Sequence, residues 1–322
     1  MTRSTGILIA VFLALAVSPW LVSDFYVFLF TKILFLSLLS ASFILLAGFG
    51  GMLSLAQTAF FGVAGYIVAR FSLFYEWPLL RILPLALLGA IVVSAIFASI
   101  AVRTRDIYFL MMSLSLNQMV YYGALQWSEI TGGFDGLTGM DPPILLGREL
   151  LTSHELYYFT LIPVLVCYLF LRRFAASPFG LALQGVRDNS QRMAALGFRV
   201  SFIRFFAIVV SGVLAGIAGV LATYFYGMIS PTSVSMGSAV MVLFIALLGG
   251  TARFEGALVG AMVYVLVEDF VSMYTQRYQA VIGILFIVIV LFFPGGITGI
   301  FRRKAKRPSG SGAEYEPIAK RE

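Results

Sequence analysis

Apolar stretches long enough to cross a bilayer alternate along the chain with short polar breaks, and the charges gather in those breaks. Uncharged runs cover 4–23, 33–69, 82–102, 107–128, 156–171, 205–252 and 278–301. A membrane helix needs roughly 20 mostly apolar residues, so several of these runs suffice without help. The regions 25–69 and 205–252 must each fold back, because one helix of such length would far overshoot a hydrocarbon core ~30 Å thick. The predicted helices are 6–22, 26–47, 58–74, 82–102, 107–127, 156–171, 205–227, 237–250, 256–267 and 278–293. The pattern is that of an all-α, polytopic membrane helix bundle with about ten transmembrane segments. The eighth and ninth are short enough to be half-helices or tilted pieces.

Composition narrows the class. Of 322 residues, 60% are hydrophobic and 11% charged, against ~45–50% and ~25% in an ordinary soluble domain. A soluble enzyme, a nucleic-acid binder and a disordered chain are excluded as first readings. The net charge of +7 therefore marks cytoplasmic loops and contact with lipid rather than nucleic acid. One cysteine, Cys167, allows no intramolecular disulfide. Arg3 followed by an apolar stretch resembles a signal peptide, but Ser18-Pro19-Trp20 is a poor cleavage site and a retained first span is expected.

Basic residues give the sidedness. Arg172, Arg173, Arg187, Arg192, Arg199 and Arg204 crowd the segment 172–204, and Arg302, Arg303, Lys304, Lys306, Arg307, Lys320 and Arg321 crowd the end of the chain. The positive-inside rule puts both in the cytoplasm, which fits the four crossings between them. With both termini inside, 17 Lys/Arg fall inside, four outside (Arg70, Arg81, Arg148, Arg277), and Lys32 lies within a span. The outer segment 128–155 is acidic, and Trp20, Trp77 and Trp127 fall at the outer interface, where amphipathic rings are favoured. A transmembrane domain is expected over 1–301 and a basic flexible cytoplasmic tail over 302–322.

Catalytic chemistry is missing. No G-x-x-x-x-G-K-[ST] sequence is present to cradle phosphates, His154 has no Cys or clustered carboxylates around it, and no serine stands in a nucleophile elbow. Neither enzyme, metal nor cofactor is expected. Lys32 lies eight residues past Asp24, about 12 Å along a helix, and either snorkels, pairs with a neighbouring helix or serves substrate. Glu268 and Asp269 are expected at a helix end in outer interfacial water.

Uncharged polar residues interrupt the apolar pattern. Gly48-Phe49-Gly50-Gly51-Met52-Leu53-Ser54-Leu55-Ala56-Gln57 is either a tight cytoplasmic turn or a broken, pathway-lining element of the kind membranes tolerate beside a cavity. Gly50, Gly51, Ser54 and Gln57, with Ser115, Asn117 and Gln118 of the fifth helix, are the candidate path residues. Ser113 joins them as a group able to bond between helices. Gly212-xxx-Gly216, Ala215-xxx-Gly219 and Gly256-xxx-Gly260 are small-residue faces that let helices approach closely.

The segment 172–204 is too long for a turn. Asp188 is expected to cap a short helix that ends at Gly197. Such a helix, lying flat with an apolar and basic surface, suits either a cytoplasmic partner or anionic lipid.

The run Gly180…Arg187-Asp188-Asn189…Arg192-Met193-Ala194-Ala195-Leu196-Gly197 resembles the coupling segment of ABC-importer permeases of the branched-chain amino acid (LivM-type) family. Gly48 to Gly62, Arg103-Thr104-Arg105-Asp106-Ile107-Tyr108-Phe109, Thr131 to Leu137 and Leu248-Gly249-Gly250 follow in the family's order, over about 40–300. Many members carry an acidic residue where this chain has Asn189 to Arg192. The resemblance implies a permease subunit of the bacterial cytoplasmic membrane. Its partners would be a second homologous permease subunit, two cytoplasmic ATP-binding subunits and an extracytoplasmic substrate-binding protein. Gly180, Arg187, Asp188, Asn189, Arg192, Ala194, Ala195 and Gly197 would transmit ATP-driven closure to a bundle of alternating access. The segments 128–155 and 230–233 would face the binding protein. Branched-chain or other hydrophobic amino acids are the implied substrates, with urea or short amides open within the family. A stand-alone secondary transporter or facilitator, and a structural membrane protein, are the readings from other classes.

Overall fold

The computed structural model describes residues 12–13, 15–20, 22–104, 106–145, 148–149, 152–274, 280–284, 287 and 296–297. Eight of the 17 residues of the expected span 6–22, ten of the 16 of 278–293 and the whole tail 302–322 lie outside the described residues. Within them the α-helices of six or more residues are α1 (Asp24–Ile44), α2 (Gln57–Tyr75), α3 (Leu79–Ala101), α4 (Asp106–Gln126), α5 (Ser153–Ala176), α6 (Pro178–Asp188), α7 (Ser190–Ala195), α8 (Val200–Tyr226), α9 (Met236–Gly249) and α10 (Glu255–Tyr274). A π-helical turn, Leu45–Phe49, prolongs α1.

Six helices among the described residues are long and apolar enough to cross a membrane: α1 with its π-helical extension, α2, α3, α5, α8 and α10. The protein is thus a multi-pass membrane helix bundle. Helix α4 has the length, 21 residues, but Ser113, Ser115, Asn117 and Gln118 dilute its hydropathy. Helix α9 is short, as expected, at 14 residues. The ninth expected segment is longer than its apolar run: α10 continues through Glu268 and Asp269 for 20 residues, about 30 Å. A helix can carry two carboxylates inward when a cation meets them, and Lys32 does.

Ends follow local chemistry. Thr152 and Glu155 form a reciprocal capping box that starts α5, satisfying two orphan amides. Gly227, at φ 62°, ends α8 in the left-handed conformation that glycine adopts without strain.

Helix α1 is the most enclosed element, with residues 33–46 all buried, and it packs against α5, α8, α9 and α10. Helix α8 packs against α2 and α3 through its small residues. A Cβ on Gly212 would strike Ser94, one on Gly216 Ala90, and one on Gly219 the backbone of Phe61. Gly256 and Gly260 of α10 make the same close approach to Gly249 and Ile245 of α9. The small-residue faces are therefore helix-crossing seams, as their spacing predicted.

The connections sort into two ends. At one end Arg187 reaches Gly48, Phe49 stacks on Phe254 at 4.5 Å and Arg172 lies 3.8 Å from Glu255. At the other, Leu137–Thr138 pairs antiparallel with Met228–Ile229, Arg70 donates to the Glu129 carbonyl at 3.0 Å, and Phe28 packs on Phe225 at 4.5 Å. The first end carries the basic 172–204 segment. It is called the basic end below, and the other the hairpin end.

Candidate functional site

At the basic end the chain turns sharply out of α5. Ser177 caps α6 by accepting from the Gly180 amide at 3.2 Å, with Pro178 in the first turn, where its missing amide costs nothing. Gly180 is buried, and a Cβ there would strike the Phe174 carbonyl and Ala175. Its role is the joint between span and surface helix. Leu183 and Val186 anchor α6 inward.

Asn189, rather than Asp188, caps the next helix. The Asn189 side-chain oxygen accepts from the Arg192 amide at 2.8 Å, while Asp188 ends α6 and pairs with Arg187 at 2.9 Å. An acidic or an amide side chain serves equally at this position, so spacing alone could not choose between neighbours. Gly197 ends α7 as expected, at φ 87°. The Gly197 amide donates to Ala194 (3.0 Å) and the Phe198 amide to Met193 (3.1 Å), the paired bonds of a Schellman cap. Arg192, Ala194, Ala195 and Gly197 all lie exposed. Leu181, Leu196 and Phe198 join them, exposed to 61%, 67% and 47%. The segment thus carries three exposed large apolar side chains beside Arg192 and Arg199.

Arg187 differs from its neighbours because its guanidinium turns toward the bundle. Nη1 donates to the Gly48 carbonyl at 2.6 Å, in the π-helical turn at the end of α1. Gly51 lies under the Arg187 side chain at φ 66°, leaving no room for a Cβ. Gly50, Gly51, Asp106, Arg187, Asn189 and Arg204 share the lining of a polar cleft of about 300 Å³. Two sets of residues singled out separately in the sequence, the glycine-rich break and the 180–197 segment, thus meet here. Arg172 and Arg204 also form polar contacts of their own.

The remainder of the break runs inward. Ser54 and Gln57 are buried, and the Leu55 amide donates to Ser113 Oγ at 2.9 Å. Gln57 Nε2 donates to Ser211 Oγ at 3.4 Å, and Ser211 in turn to the Ser42 carbonyl at 2.8 Å. Thr58 donates to Asn117 Oδ1 at 2.7 Å, and Asn117 Nδ2 donates to the Val234 carbonyl at 2.9 Å. Asn117 therefore ties α2 to the turn after α8. Ser115 is exposed and bonds its own helix at Met111, and Gln118 is partly buried. Of the candidate path residues, Gln57 and Asn117 are joined to other elements, Ser54 accepts from the Ala56 amide of its own segment at 3.3 Å, and Gly50 and Gly51 stand at the basic end.

The hairpin end holds a larger cleft, about 700 Å³, between α1, α2, α9, α10 and the 228–238 segment. Thr58 reaches its wall, so the Thr58–Asn117–Val234 bonds border it. Ser230, Thr232, Ser235 and Ser238 line it and are tied together: Ser230 to Thr232 at 2.6 Å, Ser235 to Ser238 at 3.2 Å, and Ser238 to the Thr232 carbonyl at 2.7 Å. Ser235 also caps α9, accepting from the Ser238 amide at 3.3 Å. Glu268 lines the cleft and stands 3.0 Å from Lys32 Nζ, which lies 3.3 Å from Asp269. Of the three readings of Lys32, pairing with a neighbouring helix is the one observed. The sequence holds a signal for this cluster: a lone buried cation needs a countercharge, and 268–269 is the one acidic pair beside a late apolar run.

Among the described residues no group of His, Cys, Asp and Glu could hold a metal ion. What the architecture defines is a multi-pass membrane protein with a surface-helix platform at one end and an open cleft at the other. Residues 25–291 match the model of the family described as branched-chain amino acid transport system / permease component, and the chain belongs to that family. It is 24% identical over 315 residues to the high-affinity branched-chain amino acid transport system permease protein LivM of Salmonella typhimurium, covering 91% of this chain and 74% of the relative. The probable LivM of Methanocaldococcus jannaschii is 25% identical over 65% of this chain and 60% of its own. The LivH permease protein of Escherichia coli is 28% identical over 44% of this chain and 45% of its own. No solved structure matches.

Proposed function

We propose that the chain is the transmembrane permease subunit of an ATP-driven importer for branched-chain or other hydrophobic amino acids in a bacterial cytoplasmic membrane. A second, homologous permease subunit pairs with it, as the likeness to both LivM and LivH relatives suggests. Two ATP-binding subunits dock at the basic end, and a substrate-binding protein docks at the hairpin end. The basic end faces the cytoplasm by the positive-inside rule, with both termini on that side.

The observation that carries this reading is the exposed platform of Leu181, Ala194, Ala195, Leu196 and Phe198 among Arg192 and Arg199 on a chain of the permease family. A partner that closes on ATP pushes this platform. Arg187 passes the movement to Gly48 and the break between α1 and α2. From there the bonds of Leu55 to Ser113 and of Thr58 through Asn117 to Val234 reach the border of the outer cleft. The candidate path residues Gly50, Gly51, Ser54, Gln57, Ser115, Asn117 and Gln118 then belong to the moving wall of the path, with the cleft as its outer mouth. Alternation between an outward and an inward opening follows if the break flexes, and π-helical turns inside helices frequently mark functional sites.

Purification from native membranes tests the reading. ATP-binding subunits are expected to accompany the chain, and hydrophobic amino-acid uptake is expected to stop when ATP is depleted. Recovery of the chain without an ATPase, with uptake unaffected by ATP depletion, would reject the importer and leave a facilitator.

A further inference from the structure

The outer cleft contains more chemistry than a helix junction requires. Its apolar lining includes Phe35 and Leu39 of α1, Phe61 of α2, and Met241 and Phe244 of α9. Hydroxyls of the 230–238 segment form a second part of the lining. Glu268 supplies the third. Its carboxylate shares the Lys32 ammonium with Asp269, so two anions meet one cation and the cluster keeps a residual negative charge beside the cleft. Ionisable groups at membrane depth are costly and are usually kept for function. A clamp between α1 and α10 needs a single carboxylate for Lys32; the second is surplus to that role. The volume, about 700 Å³, lies within the roughly 300–1,000 Å³ of small-molecule sites.

We propose that this cleft binds a zwitterionic α-amino acid with an aliphatic side chain. Glu268 holds the ammonium group, hydroxyls of the 230–238 segment hold the carboxylate, and the side chain lies on the Phe35, Leu39 and Phe244 surface. The proposal deepens the transport reading and rests on it. It gives the permease a substrate site of its own and favours amino acids over urea and neutral amides, which have no ammonium for Glu268 to hold.

Direct binding tests it without ATP turnover. The chain, purified in lipid nanodiscs with the subunits that co-extract with it but without the binding protein, is titrated with leucine, isocaproate and isoamylamine. The last two lack the ammonium and the carboxylate respectively. Leucine is expected to bind at least about tenfold more tightly than either, the usual scale of a charge-assisted contact. Glu268→Gln is expected to erase the preference for leucine over isocaproate, and Lys32→Met with Glu268→Gln is expected not to restore it. Glu268→Asp keeps the charge that Lys32 needs but shortens the reach. It is expected to weaken leucine binding while keeping the ranking, and it serves if the Gln variant does not fold. Equal affinities for the three compounds, unchanged discrimination in Glu268→Gln, or rescue by Lys32→Met would each overturn the site. Failure of the importer reading looks different: leucine still binds as described, while uptake ignores ATP depletion.

Discussion

The two ends of this molecule are built in opposite ways. At the basic end, α6 and α7 hold their shape through local devices, the Ser177 and Asn189 caps and the Gly197 turn, and leave Leu181, Leu196 and Phe198 outside. At the hairpin end the connecting segments are bound to distant parts of the chain: Leu137 pairs with Ile229, and Asn117 holds Val234. A surface organised locally, with its apolar groups turned out, is ready to meet another protein. A surface organised by long-range bonds around a cavity is ready to hold a small molecule. Arg187 and the polar contacts from Leu55 to Val234 join the two.

The largest effect should come from charging the platform. Ala195→Asp with Leu196→Asp places two carboxylates on exposed positions that none of the described residues covers. Folding should be unaffected, since surface changes usually cost within ±0.5 kcal/mol. Uptake in cells should fall to background, and the ATP-binding subunits should no longer co-purify. Retention of both would show that the platform rests on lipid.

Next in size is the latch. Arg187→Ala removes the bond to the Gly48 carbonyl while leaving Ala194 to Phe198 in place. ATP-binding subunits should still co-purify, but substrate carried per ATP should fall several-fold, on the order of one lost charge-assisted hydrogen bond. Loss of co-purification would instead make Arg187 part of the docking surface. Changing Arg187 and Ala195 together would merge these outcomes, because one side chain faces the bundle and the other faces away.

Which features could be read from the chain follows the same division. Local devices were legible: the Gly197 helix end, the small-residue seams at Gly212, Gly216 and Gly256, and the helix centres all follow from spacing. Neighbouring residues with equal chemistry were not, and the cap fell on Asn189 instead of Asp188. The end of α10 was misplaced because hydropathy stops at the first charge. Lys32, more than 200 positions away, compensates Glu268 and Asp269 and lets the helix continue. Gln57 and Asn117 were visible as polar residues in apolar surroundings. Whether they face a path or another helix depends on Ser211 and Thr58, partners that no spacing identifies.

The smallest expected effect, and the sharpest probe of the contrast, is Asn117→Ala. In the native chain Asn117 accepts from Thr58 and donates to the Val234 carbonyl. Alanine leaves both without this partner. A buried group left unsatisfied costs ~1–3 kcal/mol in a soluble protein. Interhelical hydrogen bonds in membranes average nearer ~0.6 kcal/mol, because the separated helices find other partners. A loss of about 1 kcal/mol is therefore expected, too little to unfold the bundle but enough to loosen one segment. Amide hydrogen exchange should rise in 230–235, which depends on Asn117 for its anchorage. It should stay unchanged in 190–197, whose caps are local. Equal acceleration at both ends would mean that Asn117 supports the whole bundle rather than the 230–235 segment.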